Sequence, residues 1–506
     1  MSTSVLDPSI LERCPTTVEL LRQVADRHGD QLAYVDADGS PLSFSEWDAQ
    51  ADAIAAGFAD QGVKEGDVVA LLLPSCSDYA LCYQAAMRLG ALTTGINPRM
   101  GAREIEHIYA RTSPRVTIVG DGLLGGRATA TLSTGDLGQM KRSGGTAPCS
   151  LEPFEDRAVA IVWTSGTTGL PKGAVYSHRN LQAIAAAELA IARPFDRRIS
   201  ATPFAHMAFM THLWEEINCA IATYIVPTPW RAADALRIMQ EGRVTVGQGV
   251  PTQWRLILDH PQFERFDLSH LRIAATGGAS VSPELVREME RRLRCPVVIA
   301  YASTEAGLIS GSDPGDPPEL IANTVGRARK GVELQVIDPE GSPVVGVIGA
   351  VRCRSSAIMK GYWQDEATTS KVVDDEGWLN TGDLGSIDEA GVLSLVGRSS
   401  EMFLRGAYKV YATEVERVLS SHPQVSQAAV VPKPDRVLGE IGVAFVVPVS
   451  GASPDHQQLR RWVREFLADY KAPDITVVVD QLPVTAVGKV DKHQLTLRTV
   501  RLTRPV

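Results

Sequence analysis

The sequence predicts an α/β protein: a large N-terminal region of two similar α/β subdomains plus a small β-rich subdomain, hinged to a small C-terminal α+β domain. Three observations carry this. Helix-period patterns alternate with short apolar runs from about residue 16 to 120 and again from about 157 to 300. After about residue 325 the texture changes to short strands separated by turn residues. A Gly-Arg-Ser-Ser stretch at 397–400 then reads as a joint, and the chain beyond it is long enough for a separate domain, which places the two domains at 1–398 and 399–506.

The first alternation pairs the helical patterns "TVELLRQVADRHG" and "SEWDAQADAIAAGFADQG" with the strands "VVALLLP" and "RVTIVG". A stretch around 121–152, rich in Gly, Thr and Ser, reads as a surface insertion. The apolar run "RAVAIVW" is a buried strand, and "GAVYSHRNL" resumes with strand and then helix. "RVTVGQGVP", "LRIAATGG", the helix "SPELVREMERRL" and the strand "PVVIAYA" repeat the earlier pattern. "GVELQVIDPEGSPVVGVIGAVRCRS" supplies the β-rich subdomain.

Length and composition exclude several function classes. A chain of 506 residues exceeds one compact core, and 44% hydrophobic with 22% charged residues is ordinary globular composition. The net charge of −9, with both signs interspersed, disfavours nucleic acid or an anionic membrane as the main partner. The cysteines, 14, 76, 82, 149, 219, 295 and 353, show no CxxC spacing and read as small buried hydrophobes of a reducing compartment. No basic-then-apolar leader opens the chain and no apolar run approaches a membrane span, so a soluble cytoplasmic protein is expected.

Between two strands lies "TSGTTGLPKG", residues 164–173. Such a density of Ser, Thr and Gly also suits a solvated connector. A strand feeding a glycine-rich turn, however, frees backbone N–H groups for an anion. Gly166, Gly169 and Gly173 permit close approach, Thr164, Ser165, Thr167 and Thr168 add hydroxyl donors, and Lys172 adds positive charge. The GxxxxGK[ST] spacing is absent, so a nucleotide here belongs to a different fold.

Further polar residues sit where ligands gather. In "AYASTEAG", after a strand, Tyr301 can stack on a purine, Thr304 can bond a phosphoryl oxygen and Glu305 can hold Mg²⁺. Asp383 in "LNTGDLG" can accept both ribose hydroxyls, Arg398 follows in "VGR", and Lys489 lies in "LPVTAVGKVDK". Taken singly, each also fits a turn or a solvated surface.

Taken in order, "TSGTTGLPKG", "AYASTE", "NTGD", "GRSSEMFLRGAYKVYATEVE" and "LPVTAVGKVDK", with the earlier "GALTTGINPRM", resemble the acyl-adenylate-forming (AMP-binding) superfamily. That superfamily includes acyl-CoA synthetases, adenylation domains of peptide synthetases and firefly-type luciferases. The resemblance covers nearly the whole chain and implies ATP and Mg²⁺ as cofactors, with CoA as co-substrate. It implies that the 164–173 loop (Thr164, Ser165, Gly166, Thr167, Thr168, Gly169, Lys172) holds the β- and γ-phosphates, with Thr164 and Glu305 as Mg²⁺ contacts. Gly278, Ala279 and Tyr301 would form the adenine pocket, Asp383 and Arg398 would grip the ribose, and Thr304 would touch the α-phosphate. Lys489 would bridge the substrate carboxylate and the α-phosphate, and His206 would stand at the mouth of the acyl pocket.

The chain departs from that pattern in three places. Ser400 occupies a hinge position usually held by Asp or Lys, and Ala302 and Ala407 replace family glycines. Ala407 lies in the loop that passes beside the pantetheine thiol in acyl-CoA synthetases, which leaves transfer to CoA less secure than adenylation. Met210 in "FMTHLWE" stands where α-amino-acid adenylation domains carry Asp, which favours an uncharged, apolar acid. The expected function is ATP-dependent activation of a hydrophobic carboxylic acid to acyl-AMP, followed by thioester formation with CoA. The alternative is a stand-alone adenylating enzyme that passes the acyl group to an external carrier protein or a separate ligase.

Overall fold

A computed structural model describes residues 4–123, 128–146, 152, 154–164, 170–188, 191–200, 202–279, 281–406, 408–485, 489–500 and 502. Four sheets organise them, and two large ones dominate the N-terminal region. The first has seven strands in the order Gly361–Tyr362, Gly173–Ser177, Ala158–Trp163, Leu92–Gly95, Val68–Leu72, Val116–Val119, Ala130–Ser133. Its centre is parallel, and Val68–Leu72 is buried at every position, as a strand covered on both faces by helices must be.

The second has nine strands in the order Arg327–Ala328, Gly307–Gly311, Val297–Ser303, Ile273–Gly277, Val246–Gly249, Arg197–Ser200, Ala222–Ile225, Leu32–Val35, Pro41–Ser43. The two subdomains are therefore similar but not consecutive. The hairpin Leu32–Val35/Pro41–Ser43 leaves its sequence neighbours and pairs in parallel with Ala222–Ile225, Tyr34 opposite Thr223. In return, Gly361–Tyr362 pairs antiparallel with Gly173–Ser177 on the first sheet.

Local chemistry explains the helices between them. Phe44–Asp60 starts at a reciprocal cap in which Ser43 accepts from the Glu46 N–H and Glu46 accepts from the Ser43 N–H. Pro283–Leu293 has Ser282 as its N-cap and Pro283 in its first turn, and it stops at Arg294 in the left-handed region. The stretch expected as a surface insertion instead extends the first sheet. Ala130–Ser133 pairs in parallel with Val116–Val119, and Ser133 and Asp136 cap the helix Thr134–Ser143. Four residues were too short a run to stand out among the surrounding Gly and Thr.

The β-rich subdomain is a four-stranded antiparallel sheet, Glu333–Ile337, Gly349–Arg354, Leu379–Ile387, Leu393–Arg398. Past the short turn Ser399–Glu401, a fourth sheet of five strands forms from residues 402–478 alone and carries the helices Ala412–Ser420 and His456–Phe466. Cys14, Cys82, Cys219, Cys295 and Cys353 are buried, Cys76 is half-buried, and all six are free thiols. Among the described residues no helix is long and apolar enough to cross a membrane.

Candidate active site

Parallel strands of the nine-stranded sheet end at one edge, where an α/β sheet opens its ligand crevice. Ile273–Gly277 delivers Gly278 and Ala279 there, and Val297–Ser303 delivers Thr304 and Glu305. Gly277 backs so closely on the neighbouring strand that a Cβ would lie 2.4 Å from the Ala300 carbonyl oxygen. Gly278 turns out of the strand at φ +74°, in the region that favours glycine.

Lys489 reaches this edge from the small domain. Its hairpin is closed by the Val484/Val490 bridge and by the Thr485 N–H donating to the Lys489 carbonyl at 2.7 Å. A Cβ on Gly278 would lie 3.7 Å from Lys489 Cε, so the two domains meet at these residues. Burial and then the positive charge of Arg398 lower the Lys489 pKa, while Asp383 and Glu305 hold it up. A lysine so depressed loses its charge earlier as pH rises. If protonated Lys489 is the active form, turnover should fall on the alkaline side below 10.5, the ordinary lysine value, and a pH–rate profile of kcat checks this.

A second group lies where two antiparallel strands place Asp383 opposite Arg398. Arg398 Nε is 3.1 Å from Asp383 Oδ1, and the buried Tyr301 donates its hydroxyl to Asp383 Oδ2. Burial raises the Asp383 pKa, and Arg398 and Tyr301 oppose that rise. Burial and the neighbouring carboxylate likewise push the Tyr301 phenol up.

A third group joins Glu305, Tyr362 and Lys172. Tyr362 donates to Glu305 Oε1 at 2.8 Å, and Lys172 Nζ lies 5.3 Å from the centre of the same ring. Thr164 and Lys172 close the neck of the glycine-rich loop. The Thr164 N–H donates to the Lys172 carbonyl at 2.9 Å, and the Lys172 N–H donates to Thr164 Oγ1 at 3.3 Å. Ser165, Gly166, Thr167, Thr168 and Gly169 lie outside the described residues. Thr304 is half-buried, its carbonyl accepting from the buried Tyr176 hydroxyl.

His206 caps the short helix Met207–Met210, its Nδ1 accepting from the Ala208 N–H at 3.2 Å. Burial, then the charges of Lys489 and His212, lower its pKa to about 3. The ring is therefore neutral near pH 7, with its proton on Nε2 because Nδ1 is an acceptor. Met210 is fully buried, its sulfur accepting from Tyr79 at 3.6 Å and its carbonyl from Tyr83 at 2.9 Å. Ala407 lies outside the described residues. Ser400 lies in the Ser399–Glu401 turn, where Ser399 Oγ donates to the Gly382 carbonyl at 2.9 Å.

The structure thus joins the candidates in three groups: Gly278 with Lys489, Tyr301 with Asp383 and Arg398, and Lys172 with Glu305. The charges of Arg398, Asp383 and Glu305 act on Lys489, and that of Lys489 acts on His206. Sequence reasoning missed Tyr362 and Tyr176. Tyr362 is 57 positions from Glu305 and carries no local pattern; only the pairing of its two-residue strand brings it in.

A family model described as AMP-binding enzyme matches residues 21–363, and one described as AMP-binding enzyme C-terminal domain matches residues 414–489. The 3-[(3aS,4S,7aS)-7a-methyl-1,5-dioxo-octahydro-1H-inden-4-yl]propanoyl:CoA ligase of Rhodococcus jostii is 31% identical, over 96% of this chain and 99% of that protein. The indoleacetate–CoA ligase of Aromatoleum aromaticum is 30% identical, over 91% of this chain and 94% of that protein. Among solved structures, ATP-bound MatB from Rhodopseudomonas palustris superposes with a TM-score of 0.86 at 27% identity, over 96% of this chain and 99% of that one.

Proposed function

The chain belongs to the AMP-binding enzyme family, and on that premise we propose which acid it activates and how the gathered residues divide the work. It is an AMP-forming acid-thiol ligase: a carboxylic acid and ATP give acyl-AMP and pyrophosphate, and the acyl group then passes to CoA as a thioester. Transfer to a carrier protein, open on the sequence alone, is not favoured, since the named relatives transfer to CoA.

The observation that carries the division of roles is the docking of Lys489 beside Gly278, within the field of Asp383, Arg398 and Glu305. A carboxylate attacking the α-phosphorus brings two anions together, so catalysis is charge neutralisation and alignment, with pyrophosphate leaving in line. Lys489 bridges the carboxylate and the α-phosphate. Thr304 touches the α-phosphate, and the loop from Thr164 to Lys172 holds the β- and γ-phosphates. Gly278, Ala279 and Tyr301 receive the adenine, and Asp383 with Arg398 binds the ribose. His206, neutral, offers an Nε2–H donor at the mouth of the acyl pocket.

Thr164 and Glu305 present hard oxygen atoms that suit Mg²⁺. Two such oxygens would leave the rest of the ion's coordination to the substrate phosphates and water. The ion would supply neutralisation of the triphosphate.

The acid is hydrophobic. Met210 removes the carboxylate that would pair an α-ammonium, and the 204–210 segment around it stacks Phe204 on Phe209 at 3.7 Å. The relatives named for a 7a-methyl-1,5-dioxo-octahydroindenyl propanoate and for indoleacetate support an acid whose carboxyl is borne on a bicyclic ring system. Pyrophosphate exchange over fatty, aryl and polycyclic acids tests this. Exchange is expected with apolar acids, and common α-amino acids should fall below them by a few kcal/mol, about a hundredfold or more. Efficient exchange with amino acids alone would overturn it.

A further inference from the structure

Lys492, three positions past Lys489, opens the helix Lys492–Thr499 and is tied to two separate parts of the small domain. Its ammonium lies 2.8 Å from Glu416 Oε1, on the helix Ala412–Ser420, and pairs also with Glu401, the last residue of the Ser399–Glu401 turn. All three side chains are largely withdrawn from water, at 24% exposure for Lys492, 28% for Glu401 and 14% for Glu416. Glu416 is itself fixed, accepting from the Val430 N–H at 2.7 Å. Asp491, just before Lys492, caps the same helix through the Gln494 N–H at 3.0 Å.

One cation between two carboxylates, largely out of water and on pre-fixed elements, differs from an exposed surface pair, which contributes little. The hairpin that presents Lys489 runs directly into this clamp: the Asp491 N–H donates to the Pro483 carbonyl at 2.8 Å. Lys492 therefore connects the base of the hairpin to the turn at which the small domain leaves the large one.

Resting on the proposed role of Lys489, we infer that Lys492 is a positioning residue for the first half-reaction: by spanning Glu401 and Glu416 it fixes the hairpin against the inter-domain turn, so that the setting of the turn determines where Lys489 points. In CoA transfer no carboxylate attacks the α-phosphorus, so on this inference that step does not depend on the clamp.

Two rates test it: pyrophosphate exchange for adenylation, and single-turnover thioester formation from preformed acyl-AMP and CoA. Lys492→Met is expected to slow the turnover of adenylation about tenfold or more, with KM for ATP and the thioester rate each within about twofold of the parent. Lys492→Arg, which can still span two carboxylates, should restore adenylation to within about threefold. Parallel loss of both half-reactions, or no loss in adenylation, overturns the inference. Should Lys492→Met not fold, Glu401→Gln takes its place: it keeps the pair with Glu416, and it must show the same selective loss in smaller degree or the inference fails. Lys489→Ala is measured alongside. A parental rate there would remove the premise, whereas loss in Lys489→Ala without loss in the Lys492 variants would remove the inference alone.

Discussion

Lys489→Ala is expected to slow adenylation by about two orders of magnitude or more while leaving the KM for ATP within a few-fold of the parent. Lys489 sits on a hairpin of the small domain, at the edge of the nine-stranded sheet, and is largely stripped of water. A cation already desolvated pays little further reorganisation when charge develops on the attacking carboxylate and the α-phosphate. Its contribution is concentrated in the transition state, so its removal lowers turnover. ATP retains its other contacts and its binding changes less. Initial rates of pyrophosphate exchange at varied ATP separate the two terms, and acyl-AMP formation at the parental rate would overturn the role given to Lys489.

Asp383→Ala should show the opposite signature, a KM for ATP raised by about thirty- to a hundredfold with a smaller change in turnover. This is the size expected for losing charge-assisted hydrogen bonds to two hydroxyls in a buried setting. Asp383 is prepared for that task, since Arg398 and the Tyr301 hydroxyl hold its carboxylate in place and oppose the rise in its pKa that burial causes. The variant also takes from Tyr301 its carboxylate acceptor, which adds to the cost. Asp383→Asn, keeping one acceptor oxygen, should fall between parent and alanine. A KM for ATP unchanged in both variants would show that this carboxylate does not meet the nucleotide.

Much of this was legible in the chain before folding. Strands such as Val68–Leu72 and Ala158–Trp163 announce themselves as short apolar runs, and the pattern opening at Ser282 marks a helix start whose cap spans only three residues. The members of the site were legible for another reason: Lys489, Asp383 and Tyr301 sit in motifs whose order resembles a family, although no local rule links them. What could not be read depends on contacts between distant segments. Nothing near Tyr362 signals that it will bond Glu305 and lie beside Lys172, and nothing near Lys492 foretells Glu401 and Glu416. The hairpin at 32–43 carries an ordinary strand pattern, and pattern alone assigns a strand to a sheet but not to which sheet.

That hairpin has a consequence for how the protein is made. Tyr34 is synthesised early, yet its partner Thr223 emerges 189 positions later. At bacterial-to-eukaryotic elongation rates of about 5–20 residues per second, the ribosome needs on the order of 10–40 seconds to supply it. Through that interval the edge of the hairpin that will meet Ala222–Ile225 has no strand to pair with, and such an edge is open to other chains. The N-terminal region therefore cannot complete its subdomains one after the other as they leave the ribosome. A nascent chain halted with residue 200 just outside the ribosome should leave Leu32–Val35 accessible to protease or chaperone, while one halted with residue 230 also outside should protect it.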